Sequence, residues 1–209
     1  NGNSVTSSQQ FSKKYGGLFP SLYLQHYLDE KKGNSIYLNY SRRLSRPSLN
    51  DLNPYRFFYT NYITTIGNPE ILPEYAHNIS AGIVLLNDYA ADCYFIRTKN
   101  VITLSARQGI DNTLDYVSEN VDGSTAIGVS LSAPFTILTG WRINNNAAFE
   151  RLYYTFENEK VKQSTYSVKS IHTISLKDIV DIDLVAEYQS PHRYSNIYTA
   201  AIFYADLGL

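Results

Sequence analysis

The segment "VDIDLVAEYQ" (Val180–Gln189) decides the fold class, because its apolar and polar residues alternate. The apolar residues fall at every second position, at Val180, Ile182, Leu184, Ala186 and Tyr188. The intervening positions are polar at Asp181, Asp183, Glu187 and Gln189, with Val185 as the exception. Successive side chains of a β-strand point to opposite sides. The segment is therefore predicted to form a strand with one apolar face and one charged face.

The same alternation recurs in "SIYLNYSR" (35–42), "NISAGIVL" (78–85) and "AIGVSLSA" (126–133). Helical periodicity is hard to find, so the pattern predicts an all-β, antiparallel fold. About nine strands are predicted, near residues 20–28, 35–42, 77–87, 90–98, 124–133, 140–153, 164–175, 180–190 and 198–208. Many reach the roughly 9 to 11 residues that a tilted strand needs to cross a bilayer. Their length favours a transmembrane β-barrel over a soluble sheet.

The links between these strands alternate in length. Four are short or moderate: "DEKKGN" (29–34), "NDY" (87–89), "SAPFTILTG" (132–140) and "LKDI" (176–179). Four are longer: residues 43–76, 99–123, 154–163 and 191–197. Outer-membrane barrels have short periplasmic turns and long extracellular loops. We therefore expect 43–76 and 99–123 to be long extracellular loops, after a polar N-terminal segment at 1–16.

Composition excludes several classes of protein. The formal net charge is −1, so no overall field attracts nucleic acid. Cys93 is the single cysteine, so no disulfide can form within the chain. No apolar run approaches the roughly 20 residues of a spanning helix. The 19 tyrosines suit a boundary between water and an apolar phase. The alternative that these patterns leave open is a soluble β-sandwich that binds carbohydrate.

The longest link offers candidate ligand-binding residues. It lies within "YSRRLSRPSLNDLNPYRFFYTNYITTIGNPEILPEY" (Tyr40–Tyr75), and its aromatic cluster comprises Tyr55, Phe57, Phe58, Tyr59 and Tyr62. Exposed aromatic rings can stack on a ligand, but they can equally form a small core for the loop itself. Arg42 and Arg43 precede the cluster, and as strand neighbours only one of them can face the lumen. Each is a candidate ligand contact or a cation at the membrane rim.

Known catalytic patterns are missing from the sequence. We find no nucleophile elbow, zinc-protease motif, phosphate-binding loop or dinucleotide fingerprint, so no enzyme and no cofactor are predicted. A hydrolase barrel is the weakest alternative, because it would need a triad that no motif indicates. His26, His77, His172 and His192 are scattered, so no metal site is predicted. Asp181, Asp183 and Glu187 are expected to line a wet lumen rather than to act as catalytic carboxylates.

Several ordered motifs resemble one family. They are "LFPSL", "YSRRLSRPS", "DLNPYR" and "GNPEILPEY", followed by "LSAPF", Trp141, "NNN", "YQSP" and "FYADLGL". This set is similar to the outer-membrane β-barrels of TonB-dependent receptors from Bacteroidetes-type bacteria, over Gly17 to Leu209. The loop residues that match the motifs are Pro47, Pro54, Gly67, Pro69 and Pro73. The fixed backbone angles of proline and the freedom of glycine suit a folded loop.

The resemblance implies a function in nutrient uptake. Residues 1–209 would form part of a larger barrel of 22 strands, located in the bacterial outer membrane and surrounded by its lipids. TonB would act through a plug region that this chain lacks, and a surface lipoprotein is a possible partner. The extracellular ligand would be a small glycan, peptide or metal chelate.

Overall fold

One long sheet dominates the structure, a computed structural model that describes residues 2–6, 9–13, 16–109, 112–176 and 180–209. Its short helix is α1 (Leu49–Leu52). The strands are β1 (Gly2–Thr6), β2 (Gln9–Lys13), β3 (Ser21–Asp29), β4 (Asn34–Ser45), β5 (Arg56–Phe58), β6 (Ile63–Ile66), β7 (Glu74–Leu85), β8 (Tyr89–Gln108), β9 (Leu114–Leu138), β10 (Trp141–Phe156), β11 (Glu159–Leu176), β12 (Val180–Gln189), β13 (His192–Tyr194), β14 (Ile197–Thr199) and β15 (Ile202–Gly208).

The main sheet runs β3-β4-β7-β8-β9-β10-β11-β12-β15, and every neighbouring pair in this order is antiparallel. These strands correspond to the nine that the sequence predicts, which confirms the all-β antiparallel fold. Within the described residues β3 and β15 do not pair with each other, so the sheet stays open. No helix in this part of the chain is long and apolar enough to span a membrane.

The register joins the alternating strands into two unlike faces. One row of directly opposed residues across β4 to β12 is Ile36, Ile83, Ala91, Leu131, Ala147, Val168 and Tyr188. The adjacent row, one residue along each strand, includes Ser132, Asn146, Lys169, Glu187 and Tyr204. We call the face with Leu131 the outer face and the face with Ser132 the inner face. Strand alternation is thus preserved at this level from β4 to β12.

Nothing in the described chain covers the outer face. Leu131 is 53% exposed and Leu184 is 41% exposed. A β-sandwich would bury such residues against a second large sheet, whereas the other two sheets here are two-stranded hairpins. The soluble β-sandwich alternative is therefore wrong. Hydrocarbon is the cover that this apolar face requires.

The inner face is the more crowded of the two. Along β8, the outer residues Phe95 and Arg97 are exposed, while the inner residues Tyr94, Ile96 and Thr98 are partly buried. Side chains crowd on the concave side of a curved sheet and spread apart on its convex side. The inner face is therefore concave, as the lumen wall of a barrel is.

Polar side chains pair across the inner face. Tyr94 donates a hydrogen bond to Glu150 over 3.0 Å, and the Lys169 ammonium lies 3.1 Å from the Glu187 carboxylate. The ring of Tyr94 lies over Gly128, where an added Cβ would come within 2.4 Å of the tyrosine hydroxyl. Glycine is needed there because the ring occupies the space that a side chain would fill. The inner wall is thus polar and closely packed.

The prediction that residues 99–123 form a loop is wrong, because most of them lie in strands. β8 continues to Gln108 and β9 begins at Leu114, so most of the segment is a tall antiparallel hairpin. The two arms of the hairpin pair their backbone groups with each other, and β6 pairs with the β9 arm. Polar residues such as Arg107 therefore occur in strand where the sequence suggested a loop.

The other links also contain more structure than expected. Residues 154–163 reduce to a two-residue turn at Glu157 and Asn158, with φ of 47° and 67°, which is the left-handed geometry of a tight hairpin. Link 132–140 is mostly strand, since β9 extends to Leu138. The segment 1–16 contains the paired strands β1 and β2. In the link 176–179, residues 177–179 lie outside the described residues.

Replacing Leu131 with arginine should destabilise the folded barrel by about 2 to 4 kcal/mol, because the side chain points into the apolar band. The neighbouring change Ser132→Arg places the same residue on the inner face and should have little effect. Urea unfolding of the protein in lipid vesicles would compare the two variants. Equal destabilisation by both would contradict the assignment of the faces.

Candidate ligand-binding loop

The link 46–73, which we call the aromatic loop, folds back on itself. Ser48 caps α1, accepting a hydrogen bond from the Asp51 amide over 3.2 Å, while the Asp51 carboxylate accepts one from the Ser48 amide over 2.8 Å. The Gly67 amide donates to the Asn53 carbonyl over 2.9 Å. A Cβ at Gly67 would lie 2.3 Å from the Asn50 carbonyl oxygen, so the closure depends on glycine at this position.

The aromatic loop is docked on the arm of β9. β6 pairs with β9 in parallel, and the Leu114 amide donates to the Tyr62 carbonyl over 2.7 Å. Asn120 bonds both backbone groups of Leu72: its side-chain oxygen accepts from the amide over 2.7 Å, and its side-chain nitrogen donates to the carbonyl over 3.0 Å. Ile71, which belongs to the loop, is only 1% exposed. The loop is thus a folded unit on a rigid support.

A buried carboxylate joins the loop to this support. Asp115 of β9 accepts hydrogen bonds from Thr64 over 2.6 Å and from Thr113 over 2.9 Å. The Arg56 guanidinium of β5 lies 2.8 Å from the same carboxylate. The Thr64 hydroxyl has the largest effect and lowers the pKa of Asp115, burial opposes it, and Thr113 and Arg56 lower the pKa further. The charged form of Asp115 is therefore the form that holds β5 and β6 in place.

The predicted aromatic cluster lies at the surface of this loop. Its five side chains, Tyr55, Phe57, Phe58, Tyr59 and Tyr62, are between 56% and 69% exposed. Phe57 and Tyr59 meet edge to face with their ring centres 5.3 Å apart. The buried residues of the loop are others, among them Thr64 and Ile71. The rings are thus displayed rather than used as the core of the loop.

The two arginines that precede the loop point in opposite directions. Arg42 pairs in register with His77 on the outer face, where its guanidinium lies 5.5 Å from the centre of the Tyr75 ring and donates to the Leu18 carbonyl over 3.2 Å. Arg43 is exposed on the inner face. Arg42 therefore occupies the rim of the outer wall, and Arg43 alone of the pair faces the lumen side.

A second hairpin, β13–β14, packs against β8 of the tall hairpin and against β11. Asn196 accepts from the Ala106 amide over 2.9 Å and donates to the Ala106 carbonyl over 2.6 Å. Gln163 makes the matching pair of bonds to the backbone of Arg193, at 2.8 and 2.9 Å. Sequence reasoning missed these amide contacts and those of Asn120. Their partners are distant along the chain, so no local pattern could have indicated them.

No group of three histidine, cysteine or acidic side chains is arranged to hold a metal ion in the part of the chain that the structure describes. What this end of the sheet offers is a surface: exposed aromatic rings, held on a folded loop, beside a polar concave wall. Such an arrangement suits noncovalent capture of a ligand.

The open antiparallel sheet, its apolar outer face and its long hairpins at one end define the wall of an outer-membrane β-barrel. The chain belongs to the outer membrane protein beta-barrel family, which matches residues 1–209. The predicted location in the outer membrane is thereby confirmed. No curated protein matches the chain.

Solved structures with a similar fold are a ferric enterobactin receptor, a siderophore receptor and a copper transporter. A variant of the ferric enterobactin receptor PfeA from Pseudomonas aeruginosa, in complex with enterobactin, has a TM-score of 0.56 at 20% identity, with 90% of this chain and 32% of that chain covered. The siderophore receptor PirA from Pseudomonas aeruginosa has a TM-score of 0.58 at 17% identity, with 82% and 33% covered. The copper transporter OprC has a TM-score of 0.58 at 13% identity, with 90% and 30% covered. The chain spans about a third of the length of these proteins.

Replacing Asp115 with alanine should loosen the aromatic loop by about 3 kcal/mol, because Arg56 and two hydroxyls lose a shared buried partner. Hydrogen exchange over residues 56–66 would measure the change in local stability. Glu70→Ala removes an exposed acid from the same loop and should leave exchange unchanged. Unaltered protection in Asp115→Ala would show that this carboxylate does not anchor the loop.

Lowering the pH should loosen the aromatic loop as the change Asp115→Ala does, because protonation also removes the charge of Asp115. Because the pKa of Asp115 is lowered on folding, its contribution is fully present above the unfolded pKa, which lies near 3.8. The contribution is lost as the pH falls through the lower, folded pKa. Protection factors for residues 56–66 should therefore fall as the pH is lowered below the unfolded pKa of Asp115, and Asp115→Ala should remove this pH dependence. A pH dependence retained in the variant would assign the effect to another group.

Proposed function

We propose that the chain is part of the barrel wall of a TonB-dependent receptor that takes up a nutrient across the outer membrane of a Bacteroidetes-type bacterium. The observation that carries this proposal is the aromatic loop, which displays five exposed rings at the open end of a polar, concave wall. The fold similarity to siderophore receptors supports it. A plug region outside these residues would close the lumen.

Uptake would proceed in two stages. The exposed rings first bind the ligand at the long-hairpin end, which faces the outside in barrels of this kind. TonB then displaces the plug, and the ligand passes along the inner face, where paired polar groups such as Tyr94 and Glu150 are already satisfied. Such a wall binds a passing polar ligand weakly. Every step is binding or passage, so the chain needs no catalytic group.

Flat rings stack on sugar faces, on peptide side chains and on aromatic chelators alike, so all three ligand classes fit the aromatic cluster. A ferric siderophore is the first class to test, because PirA is described as a siderophore receptor and PfeA was solved with enterobactin. Arg43 faces the lumen side and is the arginine placed to contact an anionic ligand. Arg42 contacts Tyr75 on the outer face, which favours a role at the membrane rim. A surface lipoprotein would deliver ligand to the exposed rings.

The double variant Phe57→Ala/Tyr59→Ala should weaken ligand binding about tenfold or more, since it removes two adjoining rings from the binding surface. Uptake of ferric enterobactin, malto-oligosaccharide and a tryptic peptide mixture by cells that depend on this protein would identify the ligand class. Tyr198→Ala removes a ring that is 68% exposed on β14, outside the cluster, and serves as the matched control.

A protonophore separates the two parts of the proposal. Uptake that stops while surface binding persists would indicate coupling to the energised inner membrane, as TonB requires. Uptake that continues unchanged would exclude a TonB-dependent receptor. Normal binding by the double variant would exclude the aromatic cluster while leaving the transport proposal intact.

A further inference from the structure

The outer face turns from apolar to basic at one level, toward the long hairpins. On β8 the outward residues Cys93 and Phe95 are followed by Arg97 and Lys99. On β11, read toward the same end, the outward residues Val168 and Tyr166 are followed by Ser164 and then by Lys162 and Lys160. We call Arg97, Lys99, Lys160 and Lys162 the basic belt. Its position marks the upper limit of the apolar band.

The basic belt encloses a trough on the outer wall. Arg97, Thr125, Tyr153 and Lys162 form one row of directly opposed residues across β8 to β11. Lys99 lies opposite Gly123, which has no side chain, and Lys160 lies opposite Thr155. Two cations on each side thus flank a floor of small or flat residues. The cavity between them has a volume of about 430 Å³ and is lined by all four cations.

These cations have little neutralisation from the protein itself. All four are exposed, and among the described residues none of them forms an ion pair. The residues that line the cavity include one acid, Asp122, and four cations. Elsewhere on the sheet, by contrast, Lys169 and Arg107 are each paired with a glutamate. The trough is therefore ready to accept an external anion.

We propose that the basic belt binds the phosphate-bearing headgroup of a lipid in the leaflet on the long-hairpin side. Phosphate oxygens accept hydrogen bonds from ammonium and guanidinium groups, and several cations can share one phosphate. The acyl chains would continue downward over Phe95, Ile127 and Phe149, which are exposed on the outer face. One molecule thus satisfies both the charge of the trough and the apolar surface below it.

The position of the trough favours a lipid over a soluble ligand. Arg97 and Lys162 point away from the lumen, so a nutrient on its way through the barrel does not meet them. Arg151 lies one row below, on the outer face, where its guanidinium is 5.8 Å from the centre of the Tyr153 ring. Aromatic and basic side chains together at the end of an apolar band are typical of a membrane interface.

Lys160→Gln/Lys162→Gln tests the proposal without altering the apolar band. The protein in neutral detergent would be offered equimolar phosphatidylglycerol and phosphatidylcholine, and the bound lipids would be counted by native mass spectrometry. The wild type should bind more phosphatidylglycerol than phosphatidylcholine. In the double variant the ratio of the two bound lipids should fall about fivefold for each lysine removed. Lys31→Gln/Lys32→Gln makes the same change in charge at the short-turn end and should keep the preference.

The remaining outcomes decide against the proposal. Equal retention of the two lipids by the wild type would show that no anionic headgroup is selected. An equal loss in both double variants would assign the preference to overall charge rather than to the trough. Complete displacement of the lipid by inorganic phosphate at constant ionic strength would identify a site for a free anion. Heat-modified migration on gels confirms that each variant is folded before lipids are counted.

Discussion

The pairing of backbone hydrogen bonds from strand to strand is the constraint on which the rest of the structure depends. Hydrocarbon offers no partner to an amide or a carbonyl, so a chain crosses it only with these groups bonded to one another. Nine antiparallel strands in chain order provide that pairing without a crossover. The same register aligns the apolar rows on one face and the polar rows on the other, because opposed residues share a face. The hydrogen-bond ladder therefore determines that one face of the sheet suits water and the other suits lipid.

Beyond the apolar band the ladder serves a different purpose. β8 and β9 continue as a hairpin, and its arms become a support on which the aromatic loop and the β13–β14 hairpin dock. Side-chain amides replace strand partners at the junctions, as Asn120 does for Leu72. The buried Asp115 adds a charged anchor. The loop that the sequence marks as structureless is thus organised by contacts with residues about 50 positions away or more.

Sequence reasoning succeeds where the signal is local and repeated. The period-two alternation located all nine strands of the main sheet, and its parity through Ile36, Leu38 and Tyr40 could also have placed Arg42 on the outer face. It failed at the tall hairpin, because polar residues such as Arg107 pair there within the protein rather than facing lipid. The aromatic cluster was found from composition alone. The exposure of its rings could not be predicted in this way, because the docking bonds of Leu72, Thr64 and Arg56 join segments that are distant in the chain.

Under the proposed function, the anchoring of the aromatic loop would affect how a ligand is captured. A flexible loop must give up conformational freedom when it closes on a ligand, and that ordering weakens binding. Here the folding of the barrel has already imposed the order, through the bonds to β9. The rings are thus held in a fixed position at the long-hairpin end of the wall before any ligand arrives. A ligand present at very low concentration would then be retained without waiting for the surface to form around it.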